Sequence, residues 1–191
     1  LVEENILLSF SSIEKGTVEF NEKIKKNEEI INFTNSALTN FLIKLSVDVE
    51  QRAERTIGSY FHVLNDLERI GDHAVEVAKA AQEMQTKSIV FSPEGQEEQV
   101  ILRRAVEDVV ERTIRAYAAF DRDEAMKVEP LRRVVNTLIR EIKSRHVRRL
   151  RDGICTVEHG FVVEDMLTAF GRTADHCSNV AVAIIEVEHN S

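Results

Sequence analysis

The sequence predicts an all-α fold made of two tandem three-helix repeats, six long antiparallel helices in all. The chain of 191 residues contains only 7 Gly and 2 Pro, which favours long helices over many short strands. Two segments 103 residues apart also share several residues, which indicates one supersecondary unit used twice. The shared residues include the pairs Leu64/Leu167, Arg69/Arg172, Asp72/Asp175 and His73/His176.

Three helices are predicted in the first repeat, over about 2–25, 28–45 and 49–85, from the three- to four-residue spacing of apolar side chains. The charged stretch 23–29 is interpreted as a turn or polar helix end between the first two. The second helix is predicted to bury one apolar stripe. That stripe consists of Ile31, Ala37, Leu38, Phe41, Leu42 and Leu45.

The segment Ser92-Pro93-Glu94-Gly95 is predicted to be a linker, because Pro and Gly punctuate secondary structure. It divides the chain into a first repeat, 1–91, and a second repeat, 96–191. The second repeat is predicted to contain helices at about 96–120, 124–150 and 161–187. Pro130 lacks an amide donor, so it should start or kink the fifth helix.

Composition excludes several classes of function. A net charge of −8 argues against a general nucleic-acid binder. No apolar run approaches the ~20 residues of a membrane-spanning helix, and no signal peptide is recognisable. Two cysteines provide no disulfide framework, so a reducing, intracellular setting is expected. The chain begins with Leu1, which is compatible with its being part of a longer protein.

Glu68 and Asp72 are the clearest candidate site residues, because a spacing of four places both carboxylates on one helix face. They border the apolar stripe of the third helix, so partial burial and mutual repulsion are expected. Two explanations remain open. Either Arg69, neighbouring cations and water offset the charge, or oxygens from a second helix complete a metal site.

The other polar motifs have ordinary structural explanations. His73 and His176 each follow an aspartate and point away from it along the helix, which favours a packing or hydrogen-bonding role. Glu186 and His189 form the only Glu-x-x-His motif in the sequence, whereas a di-iron site in a helix bundle uses two such motifs.

A basic run of residues ends the fifth helix, where cations are favoured because they interact with the C-terminal end of the helix dipole. The alternative is a docking patch for an acidic surface or an anionic lipid. That run comprises Arg140, Lys143, Arg145, His146, Arg148, Arg149 and Arg151.

The segment 67–74, Leu-Glu-Arg-Ile-Gly-Asp-His-Ala, resembles the Glu-x-x-x-Asp signature helix of PhoU-like domains, which have tandem three-helix repeats. Within that family the chain is most similar to the cytosolic domain that follows the membrane part of Na/Pi-cotransporter-II-related bacterial proteins. The segments 128–131, 145–150 and 173–181 carry this second likeness. It covers nearly the whole chain and is weakest over the first twenty residues.

The resemblance implies carboxylate sites for iron or zinc, one in each repeat. In the first repeat the matching positions are Glu28, Asn32, Glu68 and Asp72. In the second repeat they are Arg132, Asn136, Gly171 and Asp175. We expect the second site to be lost, because Arg132 would neutralise Asp175 directly. The first site should be weakened by Asn32.

The resemblance further implies regulation of phosphate transport and no catalysis. The chain is expected to be a regulatory and interaction domain on the cytoplasmic side of an inner-membrane phosphate transporter. Its partner would be its own upstream membrane domain or a separate transporter, and it would form a homodimer. The alternatives are a free-standing PhoU-type regulator of phosphate uptake and signalling, and a metal-free helical adaptor. A bundle metalloenzyme is disfavoured, because its histidine and glutamate ligands are mostly missing.

Overall fold

The computed structural model describes residues 1–48 and 51–189, and every regular element in these ranges is helical. This confirms the all-α prediction. None of the described helices is long and apolar enough to cross a membrane. The helices are α1 Val2–Lys15, α2 Asn21–Leu45, α3 Gln51–Thr86, α4 Pro93–Ala119, α5 Arg122–Arg151 and α6 Val157–His189, with a short 3₁₀ turn at Ser46–Asp48.

The boundary between α1 and α2 differs from the prediction of a helix over 2–25. Gly16 adopts a left-handed conformation with φ 57° and ends α1, because its amide bonds back to the carbonyl of Ile13. The charged stretch 23–29 is helical rather than a turn. It is polar because most of its side chains face solvent, whereas Ile24 and Asn27 point inward and are buried.

The predicted linker at 92–95 is mostly the start of α4. Ser92 caps this helix by accepting a hydrogen bond from the Gly95 amide at 3.2 Å, and Pro93 occupies the first helical turn. The non-helical connection is therefore 87–92. Pro130 lies inside α5, exposed to solvent, and the helix runs through it, so of the two alternatives predicted there the helix start does not occur.

The two repeats share one apolar core rather than forming two separate ones. α3 packs along α6 through the middle of the molecule; α1 and α2 flank α3, and α4 and α5 flank α6. Phe10 of α1 meets Phe170 of α6 edge to face, with ring centroids 5.1 Å apart. The two groups of three helices therefore form one packed body, and the division at 92–95 stays a prediction.

The apolar stripe predicted for α2 is only partly buried. Ile31 and Leu42 are in the core, but Leu38, Phe41 and Leu45 are 42%, 60% and 47% exposed. Among the described elements α2 packs only against α1, α3 and the short 3₁₀ turn. Helical periodicity predicts which side chains share a face, whereas a neighbouring helix must be present to bury them.

Candidate functional site

The acidic positions of the first repeat lie where α2 and α3 approach each other closely. Glu28 is half-buried on α2, and Glu68 and Asp72 are on α3. Gly71 permits the approach, since a Cβ atom there would lie 3.2 Å from Cδ1 of Ile31 on α2. The absence of a side chain at Gly71 thus brings the two acidic faces together.

The charge of this first-repeat cluster, Glu28, Glu68 and Asp72, is only weakly compensated. Burial raises the pKa of Glu68 above its ordinary value, and the neighbouring carboxylates of Asp72 and Glu28 raise it further. Arg69 is the nearest cation, but its guanidinium is 3.9 Å from Glu68 and 3.4 Å from Asp72. Its side chain is also 61% exposed, so the ion pairs are loose and screened by water.

The first-repeat cluster has the oxygen ligands and the negative charge that a metal ion requires, but its side chains are not arranged as a metal site. The side-chain amide of Asn32 donates to Glu28, while its Oδ1 is buried without a hydrogen-bond partner. An oxygen of that kind is a suitable ligand for a cation. Across 1–48 and 51–189, however, no group of three or more His, Cys, Asp or Glu side chains is placed to hold a metal.

The equivalent positions in the second repeat form a compact ion-pair network. Arg132 of α5 donates to Asp175 of α6 at 3.0 Å, and it binds both carboxylate oxygens of Glu129 at 2.7 and 2.9 Å. Ser178 donates to Glu129 at 2.8 Å. These bonds, led by Arg132, hold the pKa of Glu129 at about 2. The expected contact between Arg132 and Asp175 is therefore present.

Gly171 replaces the acid of the first repeat, and close packing accounts for it. A Cβ atom at Gly171 would lie 3.3 Å from Cδ1 of Ile139 on α5, so a larger residue would require a shift. The roles of Glu129 and Ser178 were not predicted from the sequence. The spacing of Glu129 three residues before Arg132 was the available signal, because side chains three apart meet on a helix face.

A histidine pair joins the two repeats beside these clusters. The rings of His73 and His176 stack with centroids 5.4 Å apart. His73 shares a hydrogen bond with Glu76, and His176 shares one with Asp66 of α3, both at 2.7 Å. The predicted packing and hydrogen-bonding role is confirmed, and Asp66 is a partner that the sequence analysis missed.

The basic run of α5 contacts acids of the same chain. Arg149 donates to Glu98 of α4 at 2.6 and 3.1 Å, and Lys143 pairs with Glu164 of α6 at 2.6 Å. His146 is buried, and burial lowers its pKa. These contacts account for Lys143 and Arg149 by ion pairs within the chain, whereas the predicted explanation was the favourable placement of cations at a helix C-terminus.

The fold and the paired polar positions define a helical protein of two three-helix repeats, each with a polar cluster between its last two helices. The chain belongs to the PhoU domain family. The model of the PhoU domain matches residues 1–81 and 101–184, which takes in both repeats.

Relatives agree with this assignment. The chain is 23% identical over 201 residues to the phosphate-specific transport system accessory protein PhoU homolog 1 of Thermotoga maritima, covering 98% of this chain and 81% of the relative. The crystal structure of PhoU from Pseudomonas aeruginosa matches with a TM-score of 0.91 at 21% identity, over all of this chain and 91% of the other. The phosphate transport system regulatory protein PhoU from Streptococcus pneumoniae matches with a TM-score of 0.86 at 17% identity, over all of this chain and 89% of the other. These two structures share the fold.

Proposed function

We propose that this chain is a non-catalytic, PhoU-type regulator of phosphate uptake. The observation that carries the proposal is the match of the PhoU domain to both repeats. The Thermotoga maritima relative is named as an accessory protein of a phosphate-specific transport system, and we extend that role to this chain. Fold likeness alone would not assign a function, so the family match is the stronger support.

The proposed partner is a membrane phosphate transporter, contacted from the cytoplasmic side by a homodimer of this chain. The first-repeat cluster is the surface that we assign to the contact. Glu68 and Asp72 are paired loosely with the exposed Arg69, at 3.9 and 3.4 Å, whereas Arg132 bonds both Glu129 and Asp175 in the second repeat within 3.0 Å. Uncompensated surface charge steers association with a surface of opposite charge. We therefore propose that this acidic cluster contacts a basic surface on the transporter.

The proposal is tested by deleting the gene and measuring phosphate uptake in phosphate-rich medium. We expect uptake in the deletion strain to stay high, because the regulator that limits it is missing. Reintroducing the wild-type gene should restore the fall in phosphate uptake in phosphate-rich medium. A variant with Glu28→Gln, Glu68→Gln and Asp72→Asn should not restore it. A matched triple variant at exposed acids, with Glu19→Gln, Glu22→Gln and Glu29→Gln, should restore it. Uptake that declines normally in the deletion strain would refute the proposal.

A second candidate is the cytosolic domain of a Na/Pi-cotransporter-related protein. The support for it is the likeness of three segments of the sequence, 128–131, 145–150 and 173–181. Reading the gene upstream of Leu1 separates the candidates. Several apolar helices there, with phosphate uptake that requires sodium, would support this reading. A separate transporter gene and no such helices would support the free-standing regulator.

Iron or zinc at the first-repeat cluster remains a proposal of its own. The buried, unpartnered Oδ1 of Asn32 and the raised pKa of Glu68 support it, because a cation would satisfy both groups. The regulatory proposal does not depend on it. A metal-free cluster would leave the chain acting through its helical surfaces, as the adaptor alternative requires.

A further inference from the structure

A small cavity lies between the start of α4, the end of α5 and the start of α6. Its volume is about 10 Å³, which is room for a single water-sized group. The side chains that line it include Gln99 of α4, His146 and Arg149 of α5, and Cys155 of the loop between α5 and α6. Three helices of the second repeat thus meet around a space that fits one small group.

Two polar side chains of this cavity are buried without their full set of hydrogen bonds. Gln99 is 5% exposed and His146 is 7% exposed. Among the described residues, neither Oε1 of Gln99 nor Nε2 of His146 has a hydrogen-bond partner. A buried polar atom without a partner destabilises the fold, so both atoms favour a polar group in the cavity. The group that this site takes is therefore small and forms hydrogen bonds.

Cys155 is held at this cavity beside a cation. Its amide donates to the carbonyl of Arg149 at 3.3 Å, which fixes the loop after α5. A hydrogen bond with Glu98, and then contact with Cys155, raise the pKa of Arg149, so the guanidinium lies next to the sulfur. A neighbouring guanidinium favours the thiolate, which is the nucleophilic form of cysteine. Cys155 is half-buried, so a small oxidant in solution can reach its sulfur.

We propose that Cys155 is a site of reversible oxidation, at which a hydroperoxide converts the thiol into a sulfenic acid. The thiolate sulfur attacks one oxygen of the peroxide, so an S–O bond forms and the O–O bond breaks. Sulfur loses two electrons to the peroxide. The hydroxide or alkoxide that leaves takes up the proton that the thiol lost, and it becomes water or an alcohol.

The cavity fits the sulfenic acid better than it fits the thiol. Oxidation adds one oxygen atom to the sulfur, and one oxygen atom matches a space of about 10 Å³. The hydroxyl of a sulfenic acid both donates and accepts hydrogen bonds, whereas a thiol is only a weak donor. That hydroxyl can therefore serve the unpartnered atoms of Gln99 and His146.

The experiment compares the oxidation of Cys155 with that of a reference thiol. The protein is treated with hydrogen peroxide, sulfenic acid is trapped with dimedone, and each cysteine peptide is measured by mass spectrometry. The reference thiol is made by Ser36→Cys with Cys155→Ser, because Ser36 is an exposed residue of α2. We expect Cys155 to react about tenfold faster than this reference. Dithiothreitol should restore the thiol.

Cys177 is the control within the same chain. It is fully buried, and burial raises the pKa of its thiol to about 12. A cysteine in such surroundings is inert. We therefore expect dimedone to label Cys155 and to leave Cys177 unlabelled. A chain in which Cys155 reacts no faster than the reference thiol would overturn the proposal.

A variant of the cavity separates this site from a cysteine that is merely accessible. Gln99→Met removes the unpartnered oxygen and keeps a similar volume, so the chain should fold normally by circular dichroism. We expect its sulfenic acid to decay about fivefold sooner after peroxide is removed, because the hydroxyl has lost a hydrogen-bond partner. Gln85→Met, at an exposed position of α3, is the matched control and should leave the decay unchanged. Equal decay in Gln99→Met and the unmodified protein would also overturn the proposal.

Discussion

The two repeats place polar clusters at equivalent positions and balance their charge in opposite ways. In the first repeat, burial and neighbouring carboxylates raise the pKa of Glu68, and Arg69 stays 3.9 Å away on an exposed side chain. In the second, Arg132 lies between Glu129 and Asp175, within 3.0 Å of both. The same packing of two helices can therefore hold acidic side chains that repel one another, as in the first repeat, or a network of ion pairs, as in the second.

The comparison shows that a single cation changes the role of such a position. Arg132 stands where the first repeat has Glu28, so one side chain reverses the local charge. The second cluster then contributes to stability, whereas the first costs stability until something outside the chain neutralises it. This contrast supports the proposal that the first repeat binds a partner or a cation, whereas the ion pairs of the second repeat have a structural role.

The largest difference between the repeats is expected in metal content. If the metal proposal holds, loading with iron or zinc should give about one ion per chain, bound through the first-repeat cluster, since carboxylate oxygens are the common ligands in helix bundles. Glu68→Ala with Asp72→Ala should abolish it, and Asp175→Ala should leave it unchanged. Mass spectrometry of untagged protein measures the ratio. Metal that persists in the double variant would place the ion elsewhere, and metal lost in Asp175→Ala would show that the second site is active.

The next largest effect is expected from removing the central cation of the second repeat. Arg132→Met removes the cation bonded to Asp175 and leaves Glu129 with Arg133 and Ser178, and we expect the free energy of unfolding to fall by about 2 kcal/mol. Arg69→Met is the matched change in the first repeat and should cost less than about 0.5 kcal/mol, because its ion pairs are exposed. Urea denaturation measures both. Equal losses would contradict the contrast between the two clusters.

A smaller effect is expected in acid. The pKa of Glu129 is about 2 in the folded chain, below its ordinary 4.5. The folded state therefore binds this proton less readily than the unfolded state, so the stabilisation is complete above pH 4.5 and is lost as pH falls from 4.5 towards 2. The side chain is 37% exposed, and screening reduces the effect to about 1 kcal/mol. Glu129→Gln should flatten the pH dependence of stability in this window. If the slope of stability against pH is unchanged in this variant, groups other than Glu129 produce the pH dependence.

The smallest effect is expected at Glu68, with the opposite sign. A raised pKa means that the folded state binds this proton more readily, so stability falls as pH rises through the range just above 4.5. Glu68→Gln should therefore raise the free energy of unfolding at pH 7 by about 0.5 kcal/mol. Glu29→Gln, at an exposed acid of α2, is the control and should change little. If Glu68→Gln instead destabilises the protein, a cation bound in solution already offsets the charge.

Many of the site residues were predicted from the sequence, but several of the residues that they contact were not. The repeat placed Asp72 and Asp175 at equivalent positions, and the family alignment placed Arg132 beside Asp175. Ser178 was missed because its contact with Glu129 joins two helices and has no signature in either segment, whereas Glu129 could have been found from its position three residues before Arg132. The linker at 92–95 was misassigned because Pro and Gly mark the start of a helix as well as a break.

The sequence by itself determined the helical class and the twofold repetition, because both arise from local spacing of apolar and polar residues along the chain. The tertiary structure decided which faces are buried. Ile31 and Leu38 belong to the same predicted stripe of α2, yet one is 8% exposed and the other 42%. Burial therefore depends on what packs against a face as well as on the face itself.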